Sequence, residues 1–331
     1  MALEIPQIVD LASAFYGSSV LFAALECDLF TAIKEESTPT IEALVARTQL
    51  SPRGLTLLLD AAVAIGLLTK TEGVYGLTPA AALSLVKNAP HDLTRAITYN
   101  RDVYQAWGKL TQLVKTGAPV EAPDLHLGDD PERTRRFALS MHARAMAIGQ
   151  AVVPHLQLPK GAKVLDLAGG PGAYAFLMAK ADPTLTCDTY DLPAIAAIAK
   201  EITAPYADRI TCHAGDYHTD TWPEETYDVV TLFGCLHQEA PEMIVDILKR
   251  AYAALRPGGL VYVLDMMTGP DHTTPPFSAL FAVNMALTTE HGWVFSDAEL
   301  ASWCQAAGFT DFTVAPVPPP MPHMLARAKK A

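Results

Sequence analysis

The chain has 331 residues and a formal net charge of −12 at neutral pH, and half of its residues are hydrophobic. A chain of this length contains enough material for about two domains, each with its own core. The acidic excess, most of which lies in the second half, disfavours nucleic acid as a partner, because nucleic-acid binding draws most of its affinity from lysine and arginine at phosphates.

Other features of the composition concern the cellular compartment. Uninterrupted apolar stretches such as 61–68 are much shorter than the roughly 20 residues that span a bilayer. The first basic residue is Lys34, so the positive region of a secretory signal is missing. The five cysteines are scattered, and none has the CxxC spacing of a metal or redox site. We therefore expect a cytoplasmic protein that binds neither a membrane nor a metal.

The first hundred residues favour helices followed by a hairpin. A helix begins after Thr40, Ser51-Pro52 provides an N-cap and a first-turn proline for the next helix, and 68–77 is typical of two short strands. This is a winged helix-turn-helix layout. Its second helix carries one basic residue, Arg53, whereas a helix that reads DNA presents several basic and polar side chains. The pattern favours a structural or dimerisation module over a DNA-binding regulator.

The second half alternates between strand-like and helical segments. Such alternation predicts an α/β fold in which a doubly wound parallel sheet carries helices on both faces. The predicted strands are 163–167, 185–190, 209–214, 227–233 and 260–265, with two closing strands at 309–315 and 324–328, and the predicted helices are 174–181, 193–202, 241–255 and one that begins at the capping box of Ser296.

Glycines and polar residues follow the carboxyl ends of the first four strands, where open α/β sheets bind their ligands. The candidates are Asp166 with Gly169, Gly170 and Gly172 after the first strand, Asp191 with Leu192 after the second, Gly215, Asp216 and Tyr217 after the third, and His237 after the fourth. Because glycine has no Cβ, the backbone of the first turn can approach a ligand closely.

A nicotinamide dehydrogenase is one alternative, since 170–175 fits GxGxxA and Asp191 follows about 20 residues later. Two observations disfavour it. Asp166 would face a pyrophosphate, and Asp216 adds a third acidic position.

Taken in order, the motifs resemble those of class I S-adenosylmethionine-dependent methyltransferases. More closely, they resemble the plant-type caffeate and hydroxyindole O-methyltransferases and their bacterial relatives. The resemblance covers nearly the whole chain and is carried by 104–117, Phe137 with Met141, the glycine turn, 191–193, 215–217, 236–237, 257–259 and 307–309. It implies a winged-helix dimerisation domain over 1–100. Over 101–331 it implies linking helices and a Rossmann-like catalytic domain with an antiparallel closing strand.

The resemblance also implies cofactor contacts. S-adenosylmethionine would bind without a metal, its methionine portion on the glycine turn with Asp166 near the ammonium. Asp191 would accept hydrogen bonds from the ribose hydroxyls, next to Leu192. Asp216 would hold the adenine amino group beside Gly215, and Tyr217 would pack on the ring. Phe233, which stands where the family has a lysine, belongs to the same set.

His237 matches the family's general base, and Asp265 falls where a glutamate orients that histidine. A second glutamate of the family is replaced by Val294. Glu290 in the neighbouring turn is expected to take its place. The alternatives are that His291 does so, or that both residues are loop surface and the base is assisted differently. Gln238-Glu239 replaces an Asp-Trp pair, which removes an aromatic wall near the cofactor. Ala168 replaces the first glycine of the turn and should be tolerated if its backbone dihedral is ordinary.

The expected reaction is O-methylation of an aromatic or polyketide-like small molecule by a homodimer. An apolar wall for a flat acceptor is predicted from Tyr104, Trp107, Met141, Phe281 and Met285. The changes around His237 keep two alternatives open: C-methylation, or other chemistry on the same cofactor scaffold. A cofactor-sensing regulator is a further alternative that the acidic charge disfavours.

Overall fold

The computed structural model describes residues 2–122, 130–319 and 321–331. The chain divides into two compact units, residues 1–101 and 102–331.

The first unit consists of helices around a small hairpin. Its elements are α1 (Ile5–Ser13), α2 (Phe15–Glu26), α3 (Leu29–Glu35), α4 (Ile41–Thr48), α5 (Pro52–Ala64), β1 (Leu68–Thr71), β2 (Val74–Leu77), α6 (Pro79–Ser84) and most of α7 (Thr94–Asp102). The Thr40 and Ser51 hydroxyls cap α4 and α5 by accepting from the backbone N–H groups of Ala43 and Gly54, which confirms the predicted helix starts.

The degree of burial differs sharply between the parts of this unit. Leu44, Leu55 and Tyr75 are buried between α4, α5 and the hairpin. In contrast, α1 buries no residue and α2 buries only Ala24 among the residues described. By length and composition, Ile5–Glu26 is apolar enough to cross a membrane, a stretch that the sequence prediction did not single out.

The second unit contains the remaining helices and a seven-stranded sheet. The helices are α8 (Tyr104–Trp107), α9 (Leu110–Thr116), α10 (Pro131–Val152), α11 (Ala173–Ala181), α12 (Pro193–Thr203), α13 (Pro241–Ala254), α14 (Pro276–Thr288) and α15 (Asp297–Ala306), and the strands are β3 (Lys163–Leu167), β4 (Thr186–Asp191), β5 (Ile210–Ala214), β6 (Tyr227–Phe233), β7 (Leu255–Asp265), β8 (Thr310–Pro316) and β9 (Met324–Lys329).

The strand order is β5-β4-β3-β6-β7-β9-β8. The first five of these are parallel, and β9 runs antiparallel to both β7 and β8. The predicted doubly wound sheet with an antiparallel closing strand is therefore confirmed. The order reverses between β3 and β6, and the carboxyl ends of these two strands form the crevice in which such sheets bind ligands.

Strand β7 begins five residues earlier than predicted. Leu255 pairs with Tyr227, a bulge follows, and regular pairing resumes between Leu260 and Val229. The Pro257-Gly258-Gly259 stretch is typical of a loop, so its inclusion in a bulged strand was not visible in the sequence.

Both faces of the sheet are covered. Alternate residues of each strand point to opposite faces, so Leu165 packs toward α13 and α15 while Val164 packs toward α10, α11 and α12. The helices on the two faces bury the sheet and fix its carboxyl edge as a rigid platform for the loops that follow each strand.

Candidate active site

The turn after β3 has a left-handed backbone at three positions, with φ of 49° at Ala168, 57° at Gly170 and 76° at Gly172. Glycine adopts this conformation freely, whereas an alanine there is strained. Ala168 was expected to be tolerated if its backbone dihedral was ordinary, and this condition is not met. Gly169 is required for another reason: a Cβ at this position would lie 2.2 Å from Oγ1 of Thr189.

Asp166 lies below this turn and is completely buried. Its Oδ1 accepts a hydrogen bond of 2.6 Å from the Thr231 hydroxyl, while no described residue donates to Oδ2. Burial raises the pKa of the Asp166 carboxyl to about 7. A buried carboxyl oxygen without a donor is costly to ionise, so this site suits a ligand that brings its own positive donor.

Asp191, at the end of β4, is tied to the same turn. Its Oδ2 accepts from the Gly170 N–H at 2.8 Å and its Oδ1 from the Leu192 N–H at 2.7 Å. Burial raises the pKa of Asp191 to about 6 in spite of these two donors. Each carboxylate oxygen retains lone pairs for further donors such as a pair of hydroxyls.

The loop after β5 is closely packed at its start. A Cβ on Gly215 would lie 1.8 Å from the Tyr190 hydroxyl oxygen. Tyr190 donates to Asp220, whose Oδ2 also accepts from the Asp216 N–H at 2.9 Å. Asp216 keeps a half-exposed carboxylate at the edge of the loop.

Tyr217 and Phe233 both point into the protein. The Tyr217 hydroxyl donates to Oε1 of Glu239 at 2.5 Å, and burial raises the pKa of this phenol well above its ordinary value. The Phe233 ring is buried edge-on against Tyr174 of α11, with 4.8 Å between the ring centroids. Their predicted contacts with a cofactor remain predictions.

His237 and Asp265 lie at the ends of neighbouring strands and form a close pair. His237 follows β6 in a short 3-10 turn (Leu236–Gln238), and its Nδ1 lies 2.6 Å from Oδ1 of Asp265. The same carboxylate accepts from the backbone N–H of Met266 at 2.8 Å and from that of His237 at 3.3 Å. Asp265 is 1% exposed, so the imidazole is held by a buried, fully engaged carboxylate.

The structure does not bring Glu290 to this pair. Glu290 and His291 are exposed after the end of α14, and neither forms a hydrogen bond or ion pair with His237 among the contacts of the described residues. Val294 is buried. The neighbouring Trp293 does reach the turn, since its backbone N–H donates to the His237 carbonyl at 2.9 Å. The role predicted for Glu290 therefore rests on sequence alone.

The residues predicted to form an acceptor wall are distributed over α8, α10 and α14. The Phe281 ring lies edge-on to the His237 imidazole at 5.2 Å between centroids. Trp107 donates from Nε1 to Oδ1 of the buried Asn284 at 2.9 Å, which joins α8 to α14. Met285 is buried on α14, Met141 is half-buried on α10, and Tyr104 is 36% exposed.

Several polar residues of the site were not assigned from the sequence. Thr231 holds Asp166, Asn284 holds Trp107, and Glu239 accepts from Tyr217. Threonine and asparagine within apolar strands and helices are the signal that could have found the first two, because buried polar side chains need partners. Among the described residues, no cluster of three or more His, Cys, Asp or Glu side chains is arranged to hold a metal ion.

The site fits S-adenosylmethionine by its own donor and acceptor chemistry. The unpartnered oxygen of Asp166 can receive an ammonium, and Asp191 can receive the two ribose hydroxyls. No atom within 4 Å would meet a Cβ on Gly170, which indicates open space on that side of the turn.

Comparison with known proteins agrees with this geometry. A family model described as the O-methyltransferase domain matches residues 117–310, and one described as the O-methyltransferase dimerisation domain matches residues 9–87. The chain is 32% identical to the tetracenomycin polyketide synthesis 8-O-methyl transferase TcmO of Streptomyces glaucescens, over 92% of this chain and 91% of that protein. It is 29% identical to acetylserotonin O-methyltransferase of Gallus gallus, over 94% of both.

Solved structures give the same result. Human N-acetylserotonin methyltransferase in complex with SAM has a TM-score of 0.88 at 25% identity, covering 100% of this chain and 99% of that one. PigF with SAH has a TM-score of 0.86 at 25% identity, covering 99% and 100%. The chain therefore belongs to the S-adenosylmethionine-dependent O-methyltransferases that carry an N-terminal dimerisation domain.

Proposed function

We propose that this enzyme methylates a hydroxyl group of an aromatic or polyketide-like small molecule, with His237 as the general base. The observation that carries the proposal is the pairing of His237 with Asp265. A carboxylate can only accept, so Nδ1 carries the proton and Nε2 presents its lone pair. No described residue donates to Nε2, so this nitrogen is available to an acceptor hydroxyl.

A base is useful for this reaction. A phenol has a pKa near 10 and is mostly protonated at neutral pH. When bound, the cofactor supplies an electrophilic methyl group on its sulfonium. Nε2 of His237 would remove the hydroxyl proton as the oxygen attacks that methyl group, and Asp265 would stabilise the imidazolium that forms. The S–C bond of the sulfonium breaks as the O–C bond forms, so the leaving group is the neutral thioether S-adenosylhomocysteine. The fixed platform of the sheet supplies the orientation that direct displacement needs.

The cofactor contacts are proposed on the same grounds. Asp166 receives the ammonium above Thr231, Asp191 receives the ribose hydroxyls beside Leu192, and Asp216 receives the adenine amino group. Gly169, Gly170 and Gly172 line the methionine portion, and Gly215, Tyr217 and Phe233 complete the set.

The acceptor class is inferred from relatives and from the lining of the site. The relatives include the tetracenomycin enzyme and a 3-hydroxy-5-methyl-1-naphthoate 3-O-methyltransferase of Streptomyces sahachiroi, 28% identical over 92% of this chain. Phe281 lies beside the base, and we propose that Tyr104, Trp107, Met141 and Met285 extend this apolar lining. Flat aromatic rings pack well on such side chains.

We also propose a cytoplasmic homodimer in which residues 1–100 dimerise and residues 101–331 catalyse, without nucleic acid or a membrane as partner and without a metal. The match of 9–87 to a dimerisation domain supports the dimer, because it contains most of the exposed apolar surface of α1 and α2. All five cysteines are free thiols, as in reducing compartments.

A label experiment tests the reaction. Aromatic acceptors with and without a free hydroxyl are incubated with the enzyme and S-adenosylmethionine that carries a 13C-methyl group. We expect a mass gain of one labelled methyl only on hydroxylated acceptors. Methylation of acceptors that lack a hydroxyl would contradict the proposal.

One relative favours a second candidate, C-methylation. The L-tyrosine C(3)-methyltransferase of Streptomyces lavendulae is 28% identical over 92% of this chain. Removing a phenol proton also activates the adjacent ring carbon, so His237 would have the same role. The carbon chemical shift of the transferred label separates the two products, because a methyl on oxygen and a methyl on an aromatic carbon resonate in different regions.

A further inference from the structure

The turn that carries the base is joined to the loop proposed to hold adenine by a buried carboxylate, Glu239. We propose that Glu239 is a positioning residue that fixes Asp216, through His218, in the orientation that receives the adenine amino group. This inference rests on the cofactor role proposed for Asp216. It explains what stands in place of the aromatic residue that the family has at this position.

The contacts form a continuous chain. Oδ1 of Asp216 lies 2.9 Å from Nδ1 of His218, and Nε2 of the same imidazole lies 3.0 Å from Oε2 of Glu239. The other oxygen, Oε1, accepts from the Tyr217 hydroxyl at 2.5 Å. Glu239 thus holds the two residues that follow Asp216, one with each oxygen.

Glu239, at one end of this series of contacts, is buried and held, whereas Asp216 and His218 at the other end are exposed. Glu239 is 6% exposed, its backbone N–H donates to the Leu236 carbonyl at 3.1 Å, and its carbonyl accepts from Nε1 of Trp293 at 3.2 Å. The side chains of Asp216 and His218 are 46% and 42% exposed. Side chains so exposed lose rotational freedom only if a partner holds them. Oδ1 of Asp216 also accepts from the backbone N–H of His218 at 2.9 Å, and Glu239 supplies the fixed point for the His218 ring that contacts the same oxygen.

The backbone of the loop is held independently. Nη1 of Arg250 donates to the carbonyl oxygens of Tyr217 and Asp220, both at 2.6 Å. The carboxylate of Glu239 is therefore not needed to form the loop. Its contacts act on the orientation of the side chains that the loop presents.

The two contacts of the His218 ring depend on which of its nitrogens carry a proton. Ionised carboxylates only accept hydrogen bonds, and a neutral imidazole has one N–H, so both contacts are hydrogen bonds only when His218 is an imidazolium. Loss of one proton leaves a nitrogen lone pair opposite a carboxylate oxygen. The clamp formed by Asp216, His218 and Glu239 therefore requires a ring that donates from both of its nitrogens.

The groups that face the clamp are few among the described residues. The Tyr217 ring lies 4.5 Å from the His218 ring between centroids, and Nε2 of Gln238 lies 3.4 Å from the Tyr217 hydroxyl oxygen. Cys235 is buried nearby, and burial raises the pKa of its thiol, with Asp265 and Glu239 as further causes, so it stays neutral. Arg250 is the cation of the surrounding loop.

The test compares the affinity for S-adenosylmethionine, measured by calorimetry, with kcat and KM for Glu239→Ala, Glu239→Gln and His218→Ala. We expect Glu239→Ala to raise Kd and KM for the cofactor about tenfold, with kcat within about twofold. His218→Ala should do the same, and the double variant should be no weaker than either single one. Exposed Glu242, replaced by Gln, is the matched control.

Glu239→Gln gives the sharpest readout. Its amide can donate to the lone pair of a neutral His218, whose Nδ1–H still faces Asp216. Glu239→Gln should therefore keep more of the wild-type cofactor affinity than Glu239→Ala does. Such rescue by the conservative variant distinguishes a positioning role from a merely structural one.

Three results would overturn the proposal: a cofactor KM within twofold of wild type in Glu239→Ala and His218→Ala, additive losses in the double variant, or a loss confined to kcat. Asp216→Asn separates the proposed role of Glu239 from the adenine contact proposed for Asp216. If it weakens cofactor binding while Glu239→Ala does not, only the clamp is wrong. If Asp216→Asn also leaves binding unchanged, the adenine assignment fails together with the clamp.

Discussion

Asp265 holds His237 at two points, because its Oδ1 lies 2.6 Å from Nδ1 of the ring and its Oδ2 accepts from the backbone N–H of the same residue at 3.3 Å. This arrangement fixes both the position of the imidazole and the nitrogen that carries its proton.

Replacing Asp265 by Asn should therefore lower kcat by about 10²–10³-fold, within the range that a correctly protonated base contributes. An amide can turn its NH₂ group toward Nδ1 and favour the wrong tautomer. Steady-state kinetics with saturating cofactor measure this, and the cofactor Kd should stay within about threefold.

Glu242→Gln is the matched control, since Glu242 is an exposed acid in the same unit. We expect its kcat to stay close to that of the wild type. Glu290→Gln tests the role predicted for Glu290: a loss of kcat as large as that of Asp265→Asn would show that Glu290 reaches the base during turnover and that the assignment of Asp265 as the orienting residue is incomplete.

Cofactor binding should depend on pH through Asp166. Burial raises the pKa of its carboxyl to about 7, and only the ionised form attracts an ammonium. The affinity for S-adenosylmethionine should therefore fall as pH drops below about 7, approaching tenfold per pH unit. Asp191, whose pKa is raised to about 6, should steepen the loss at lower pH. Calorimetry between pH 5 and 8 in one buffer series measures it.

In the Asp166→Asn variant, binding should be weaker at neutral pH and nearly independent of pH down to about 6, where Asp191 begins to titrate. If this variant kept the wild-type dependence of affinity on pH between pH 6 and 7, the proton that controls binding in this range would belong to a group other than Asp166.

Replacing Ala168 by Gly should stabilise the protein by about 0.5 kcal/mol. Relief of a left-handed alanine contributes about 1–2 kcal/mol, and the greater freedom of glycine in the unfolded chain offsets about 0.4–1 kcal/mol. Chemical denaturation gives the difference. Ala197→Gly, at an exposed position in the interior of α12, should instead lose about 0.5–1 kcal/mol. Destabilisation by both changes would mean that Ala168 is not strained.

The apolar surface of α1 should be the contact between two copies of the chain. Ile8 and Leu11 are 54% and 64% exposed. Replacing both by Glu should raise the dimer dissociation constant more than about tenfold, because burying each side chain contributes about 1.5–3 kcal/mol. Light scattering on a size-exclusion column reports the mass.

Val114→Glu, at a site that is 76% exposed in the second unit, is the control and should leave the dimer intact. A flotation assay with lipid vesicles checks the alternative. If the wild-type protein floats with the vesicles and the variant with Glu at positions 8 and 11 does not, the surface of α1 binds a membrane rather than a second copy of the chain.

The sequence was most informative where a local rule decides the structure. The caps of α4 and α5, the alternation of strands and helices, and the closing strand were all predictable from the sequence. Short-range hydrogen bonding and apolar periodicity determine such features, and both can be seen in a linear chain.

The rest depended on distances between residues far apart in the chain. Thr231 lies under Asp166 because the two strands are neighbours in register, and Glu239 meets Tyr217 because two loops converge. The left-handed backbone of Ala168 is imposed by the turn, against the preference of alanine. A threonine within an apolar strand signals that Thr231 needs a partner but does not name Asp166, and the other two features have no local sequence signal.

The central claim is that His237 removes a proton from the acceptor hydroxyl. The direct measurement is turnover by His237→Ala on two acceptors of similar shape, one with an ordinary phenol and one with an electron-poor phenol that is already ionised at the assay pH. We predict that kcat falls about 10²–10³-fold on the first acceptor and much less on the second, with cofactor affinity unchanged. Equal losses on both acceptors, or full turnover on the ordinary phenol, would contradict the role of His237 as the base.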